Sequence, residues 1–584
     1  MTSIGGQEYP FLVKGGTDSD LNARKNRTTR KSKFLSINNV FRRWSSVDIR
    51  RHLPLVLIIV IAALVRLWGI KFGLPHMLCR PDEEAVATMA LRFFRGHFKS
   101  NFFAYPPLFM YVDSVLYAVV FAGGKIVGFF AAKESFLAWA TGNPWALLLI
   151  DRIASAAFGV ACVAILYGIA RRLFDRTTAR IAAAFLALAA LHVRDSHFGV
   201  TDVPATCAVL ASFFFTVKFA QDGRSKDLWW SAVLVGLAGA TKYNAILIGL
   251  PAIAVAAGLS FRLSSGRWPA RIRQLIQFGL AASLVFLAAM PFVLTSVRPF
   301  LTGFSQEFEH LMAGHGLLLG RGWIVHLTLS LRYGLGWPLL ISSFAGFVWM
   351  VRVAPRTALL VGLFPVAYFA FMGRGYTVFA RYMLPILPFL CLTGAWAVVR
   401  LGSLLARGVL ASTRSMRLTV LLAALIIAPS FLQVVQTDRL LAITDSRLLA
   451  AEWLRSNLAS EGTVYQTGRI YSQVQMKPPS LSPPNEDWGF DEEEARFTRG
   501  GNVSDDQPNF VIIQRSPLEL YTAVPHGLDR ILERDYIHVH SVLAYDSSAR
   551  AGIFDQIDAF FLPLSGFKGI VRPGPNIFIY RRIR

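Results

Sequence analysis

From about residue 53 to residue 436 the chain returns repeatedly to apolar runs near the length that crosses a bilayer, separated by short polar joints. A crossing helix needs roughly 20 mostly apolar residues, because lipid offers no partner to an unpaired backbone N–H or C=O. This recurrence restricts the chain to a polytopic helical bundle. Composition agrees: 54% of residues are hydrophobic and 16% charged, with mean hydropathy +0.45. A formal net charge of +24 would suit a nucleic-acid binder. Much of that charge, however, lies in the joints, where Lys and Arg mark the cytoplasmic side. Nucleic acid is not expected as a partner.

Charge asymmetry sets the sidedness. Residues 1–50, with "NARKNRTTRKSK", read as a disordered basic cytoplasmic tail, and no cleavage pattern follows the first apolar run. The span at about 53–70 then leads outward and leaves "RPDEEAV" (80–86) outside. "RRLFDRTTAR" (171–180), "RLSSGRWPARIR" (262–273), "VRVAPRT" (351–357) and "RLGSLLARGVLASTRSMR" (400–417) are basic and fall inside, and loop 297–335 falls outside. The expectation is a membrane domain over 51–436 with about eleven spans and an outer soluble domain over 437–584. Residues 104–134 are apolar enough for a span, yet both flanks must be outside. They are read, within 79–134, as juxtamembrane or re-entrant helices broken near Gly123-Gly124. A true span there would separate Asp202 from Asp82 across the membrane.

Beyond residue 437 the character changes. "PPSLSPPNED" and "RPGP" signal turns, and "NFVIIQ" and "NIFIYRRI" alternate like strands. "TDSRLLAAEWLRSNL" (444–458) is an amphipathic helix with Leu448, Leu449, Trp453 and Leu454 on one face. A small extracytoplasmic α/β domain results. The four cysteines, Cys79, Cys162, Cys207 and Cys391, are scattered, three of them in apolar runs, so no structural disulfide is expected.

Four places could carry chemistry. In "RPDEEAV" Pro81 followed by Asp82, Glu83 and Glu84 is an ordinary helix start, with Val86, Met89, Ala90, Phe93 and Phe94 forming a stripe suited to the membrane surface. A helix start needs only one acid, however. In "HFGVTDVPATC" Asp202 is a plausible N-cap, yet a charge at a membrane edge is costly unless used. His192, Asp195 and His197 share its loop and leave a divalent cation open, without a recognised ligand spacing. In "GLAGATKYNA" Gly236, Gly239 and Ala240 permit close helix packing. Lys242, beside Tyr243, either snorkels to the interface or faces a polar cavity that would hold a phosphate. In "GRGYTVFARYMLPILPFL" Arg374 and Arg381, the latter beside Tyr382, stand at an outer span end, where arginine is disfavoured by sidedness and well shaped for phosphate.

In these pieces the chain resembles the GT-C class of polytopic glycosyltransferases, and within it the family-39 group of protein O-mannosyltransferases and aminoarabinose transferases. The resemblance rests on Asp82-Glu83 in the first outer loop, "YPPLFMY", "DRIASAAFGVACVAILYGIARRLFD", "HFGVTDVP", "GLAGATKYNA" and "RYMLPILP", in the family's order over roughly 55–390. It implies a donor sugar on a polyprenyl phosphate and an acceptor hydroxyl on a glycan, lipid or protein. Asp82 would act as general base in an inverting displacement, with Glu83 and Asp202 in the catalytic set. Lys242 and Arg381 would hold the lipid phosphate, with Tyr243, Arg374, Tyr382 and His197 binding substrate. Asp202 matches an acid that helps bind metal in some relatives and orients substrate in others. Where some relatives carry a basic residue before "PPL" this chain has Tyr105, so a phosphate contact is not carried over and Tyr105 stands only as a substrate-site candidate. Glu84 has no family role.

A transporter or flippase of an anionic lipid or glycan is the competing reading, but it calls for internal repeats and midplane charges. A membrane scaffold displaying the outer domain would leave the paired acids and bases unexplained. The expected host is a bacterial inner membrane, with the endoplasmic reticulum as the alternative.

Overall fold

The computed structural model describes residues 46–99, 103–259, 268–406, 411–458, 462–476, 488–546, 548 and 552–583. Most of the basic tail, part of the 262–273 and 400–417 loops and the "PPSLSPPNED" turn lie outside the described residues.

The membrane part is helical throughout. Among the described residues seven helices have the length and apolar character to cross a bilayer, or eight if the bent pair Gly322–Leu335 and Trp337–Val353 is one span; His52–Leu67 and Tyr243–Ala256 are shorter apolar helices. The difference from about eleven lies in such short pieces. Arg176–Ala187 stops before a separate helix Ala190–Asp195, and Ser225–Thr241 is 17 residues long and ends at Lys242.

Leu108–Ile126 is one unbroken helix of span length. The helix carries through Gly123 and Gly124 and ends at Ile126, a few residues beyond the expected break, and Lys133–Gly142 follows. The stripe on Glu83–Arg95 is also spent differently from expectation. Val86, Met89, Ala90 and Phe93 are buried in one cluster with Phe109, Met110 and Tyr117 of Leu108–Ile126. The stripe therefore faces protein, because a second helix of matching apolar character lies over it.

Gly236 lets Ser225–Thr241 approach Trp268–Ala289. A Cβ there would stand 2.5 Å from the Ala282 carbonyl oxygen, whereas at Gly239 the nearest atom would be 3.4 Å away. The bundle is thus tight near Lys242 at the first glycine of the pair.

The C-terminal domain has a four-stranded mixed sheet in the order β1 (Val464–Gln466), β5 (Phe510–Arg515), β7 (Asn576–Arg582), β6 (Tyr536–Val542). A separate antiparallel sheet joins β2 (Trp488–Asp491), β3 (Arg496–Arg499) and β4 (Asn502–Val503). "NFVIIQ" and "NIFIYRRI" are indeed strands and pair antiparallel, Ile512 opposite Ile579. β5 is buried along its length up to Gln514 rather than on alternate residues. It is a central strand covered on both faces, Ile512 packing with Ala450 and Leu454 and Val511 with Leu528 and Ile531. Helix Ser446–Asn457, capped by the Asp445 carboxylate on the Arg447 N–H at 2.9 Å, buries Ala450, Ala451 and Leu454, with Leu449 and Trp453 packed partly against the same core.

Candidate active site

A cavity of about 570 Å³ opens where the segments around residues 81–82 and 104–106, several membrane helices and the C-terminal domain meet. Its polar lining includes Asp82, Asp202, Lys242, Arg381 and Asp558, and its apolar wall includes Phe286, Phe300, Phe304, Phe308 and Met372.

Asp82 occupies the N-cap of Glu83–Arg95 with φ of 74°, a left-handed conformation few side chains adopt, and makes no side-chain cap bond. An N-cap carboxylate ordinarily accepts from its own helix. Here Oδ2 instead accepts from Nη2 of Arg381 at 3.0 Å. The left-handed backbone thus coincides with a carboxylate that does not cap its own helix and makes Asp82 a candidate functional residue.

The neighbouring acids go elsewhere. Glu83 is fully buried, takes Nε and Nη2 of Arg152 at 2.8 and 2.6 Å, and accepts the Gly199 N–H at 2.8 Å. It does not line the cavity; it ties the start of helix Glu83–Arg95 and the Gly199 loop to Arg152 of helix Pro144–Leu173. Gly199 is required there, since a Cβ would stand 2.8 Å from Cβ of Asp151. Glu84 accepts the Tyr471 hydroxyl at 2.8 Å, and burial pushes its carboxyl up to about 7.

Asp202 opens helix Asp202–Asp222 and pairs with the Lys242 ammonium, which sits where Ser225–Thr241 gives way to the 3₁₀ turn Tyr243–Ile248. The ammonium lies 5.0 Å from the centre of the Tyr382 ring, a cation–π contact. Tyr243 lines the cavity and donates its hydroxyl to the Phe103 carbonyl at 2.8 Å. Tyr105 and Tyr382 line it too, and burial raises the Tyr105 hydroxyl well above its ordinary range.

Besides Glu83, two further expected residues are not brought to the cavity. Arg374 is exposed and absent from the lining, because the chain turns between it and the buried Arg381. His197 is buried with both ring nitrogens 2.9 Å from backbone carbonyls, those of Val193 and Trp68. His192 is likewise engaged, Nδ1 lying 2.9 Å from Nη2 of Arg66. Among the described residues no three His, Cys, Asp or Glu side chains gather as a metal site. Asp82 and Asp202 each already answer a cationic side chain. This donor set does not fit a divalent cation, and no step is routed through one.

Several lining residues carried no sequence signal. Asp558 lies in a loop that spacing does not single out. Glu307 and His310 sit on helix Val297–Ala313, and His315 follows it. His310 Nε2 and His315 Nδ1 are 2.9 Å apart, and burial lowers both imidazoles below their ordinary range. Burial also raises the Glu307 carboxyl, against the pull of Lys242.

Residues 143–294, which include Asp202 and Lys242, match a known family. It is the dolichyl-phosphate-mannose-protein mannosyltransferase family. The match falls inside the stretch that resembles the family-39 group, to which protein O-mannosyltransferases belong; Asp82, Arg381 and Asp558 lie outside it. Among solved structures, ArnT from Cupriavidus metallidurans bound to undecaprenyl phosphate is similar at 17% identity and TM-score 0.49, over 73% of this chain and 83% of that one. ArnT in the apo state is similar at 15% and 0.49, over 90% and 97%. Archaeoglobus fulgidus AglB, in complex with an inhibitory peptide and a dolichol-phosphate, stands at 14% and 0.43, over 76% and 62%. No curated protein matches the chain.

Proposed function

We propose that this chain is a membrane glycosyltransferase that moves a sugar from a polyprenyl-phosphate donor to an acceptor hydroxyl. One observation carries the reading: a carboxylate freed from helix capping, Asp82, shares a cavity with the cations Lys242 and Arg381 and a wall of phenylalanines. The apolar wall suits the first isoprene units and the cations suit the phosphate. The family match supports the chemistry over residues 143–294.

The acceptor oxygen attacks the anomeric carbon while Asp82 takes its proton, and the bond from that carbon to the phosphate oxygen breaks on the opposite face. The configuration inverts. A carboxylate is a weak base toward an alcohol, so the proton moves as the carbon–oxygen bond forms and positioning supplies much of the rate. Lys242 and Arg381 neutralise the charge that collects on the departing polyprenyl phosphate. Asp202 holds the ammonium in place until the phosphate arrives.

The basic joints support a cavity on the non-cytoplasmic side. Asp82 and Asp202 then share one face if Pro144–Leu173 crosses inward, the following helices return, and Leu108–Ile126 lies along the interface despite its length. The host membrane is proposed to be a bacterial inner membrane.

The test is transfer from a polyprenyl-phosphate sugar by Asp82→Asn. Asparagine tolerates the left-handed backbone, so the fold is kept and transfer falls about 10²- to 10⁴-fold. Unchanged transfer would remove Asp82 as the base.

A further inference from the structure

Arg381 is held from two sides by parts of the chain far apart in sequence. Its Nη2 reaches Asp82, and its Nη1 lies 3.3 Å from Oδ1 of Asp558, a residue of the C-terminal domain. The guanidinium also stacks on Phe379, 4.2 Å from the ring centre. Asp558 is 2% exposed and fixed in turn by Arg80 at 2.9 Å and Arg194 at 3.4 Å.

The short segment bearing Asp558 is anchored on both domains. Asp555 accepts the Ala380 N–H at 2.8 Å, beside Arg381 in the chain. Tyr521 donates its hydroxyl to the Ile557 carbonyl at 2.7 Å. Burial alone would raise the Asp558 carboxyl, but Arg80, then Arg381 and Arg194, overcome it and hold it below the usual carboxylate range. Three guanidinium groups thus meet at Asp558, and two of them reach a second carboxylate: Arg381 pairs with Asp82, and Arg194 lies 4.0 Å from Asp195.

We propose that Asp558 is a positioning residue: it fixes Nη1 of Arg381 so that Nη2 can pass from Asp82 to the phosphate of a polyprenyl-phosphate donor. The soluble domain then completes the donor site, and donor binding itself releases the base. This rests on the function proposed above. With Asp558 gone, the guanidinium is free to turn both amino groups onto Asp82, a forked pairing that competes with the phosphate.

The sign of the effect separates positioning from plain electrostatics. Asp558 is an anion near an anion site, so Coulomb's law alone has its removal tighten phosphate binding. Positioning has it weaken. Undecaprenyl phosphate and undecaprenol, as probes, are titrated against the full-length chain in nanodiscs. Wild type is expected to favour the phosphate form, and Arg381→Ala to lose about tenfold or more of that preference. Asp558→Asn is expected to lose about three- to tenfold, with no further loss when combined with Arg381→Ala. Should Asp558→Asn fail to fold, Tyr521→Phe loosens the same segment mildly; it is expected to lose about twofold, and nothing once Arg381 is alanine. Equal or tighter binding by these variants, or losses that add to that of Arg381→Ala, overturn the role of Asp558 while leaving the donor reading intact. No preference for the phosphate form in wild type overturns the donor reading and this inference with it.

Discussion

Nη2 of Arg381 lies 3.0 Å from Oδ2 of Asp82, although 299 residues separate the two in the chain. The pair joins the N-cap of helix Glu83–Arg95 to the start of a late span and leaves the carboxylate occupied. A ligand that takes the guanidinium frees the carboxylate. On the function proposed above, donor binding and release of Asp82 as the base would then be one event.

Glu83→Gln separates structure from chemistry within the acidic trio. Removing one charge from the buried pair with Arg152 is expected to destabilise the fold by about 3–5 kcal/mol, read as a lower melting temperature in detergent. Transfer per folded molecule is expected to persist. Normal melting with lost transfer would give Glu83 a chemical role that its position contradicts.

Lys242→Gln is expected to cost about 10²- to 10³-fold in transfer, the scale of losing one preorganised group at a developing anion. Initial rates at saturating donor measure it. A change confined to the donor KM would mean that the ammonium binds the ground state only.

Glu84 makes stability depend on pH in a defined direction. Its folded carboxyl titrates near 7 rather than at the ordinary 4.5, with burial as the main cause. The folded state thus holds a proton that the unfolded chain has released, and this contribution, full below about 4.5, declines as pH rises and is gone above about 7. Melting should fall more between pH 5 and pH 8 for wild type than for Glu84→Gln. Parallel curves would remove Glu84 as the source.

Gly199→Ala is expected to cost about 1–3 kcal/mol, because its methyl would press on Asp151 and displace the N–H that serves Glu83. The same loop leads into Asp202, so a melting curve and a transfer assay should fall together. Wild-type melting would show that the loop has room to shift.

Much of this was legible in the one-dimensional pattern. Apolar runs of span length dictate a helical membrane bundle, and the shift to short alternating segments after residue 437 marks a domain that becomes a sheet flanked by helices. Unusual charges near the ends of apolar runs singled out Asp82, Asp202, Lys242, Arg374 and Arg381, because such charges are costly unless used or paired; all but Arg374 line the cavity. These signals are local and survive without knowledge of neighbours.

Tertiary structure alone decided which charges face one another. Glu83 and Glu84 point about 100° apart on their helix and Asp82 precedes it in a left-handed conformation, so three acids indistinguishable in sequence reach Arg381, Arg152 and Tyr471 in chain order. A turn parts Arg381 from Arg374. Asp558 could not have been found from its own surroundings in the chain, where nothing in the spacing sets it apart. Its significance comes from three arginines that folding delivers to it from positions 80, 194 and 381. Periodicity fixes the class of element a segment forms; the meeting of side chains from opposite ends of the chain is a property of packing.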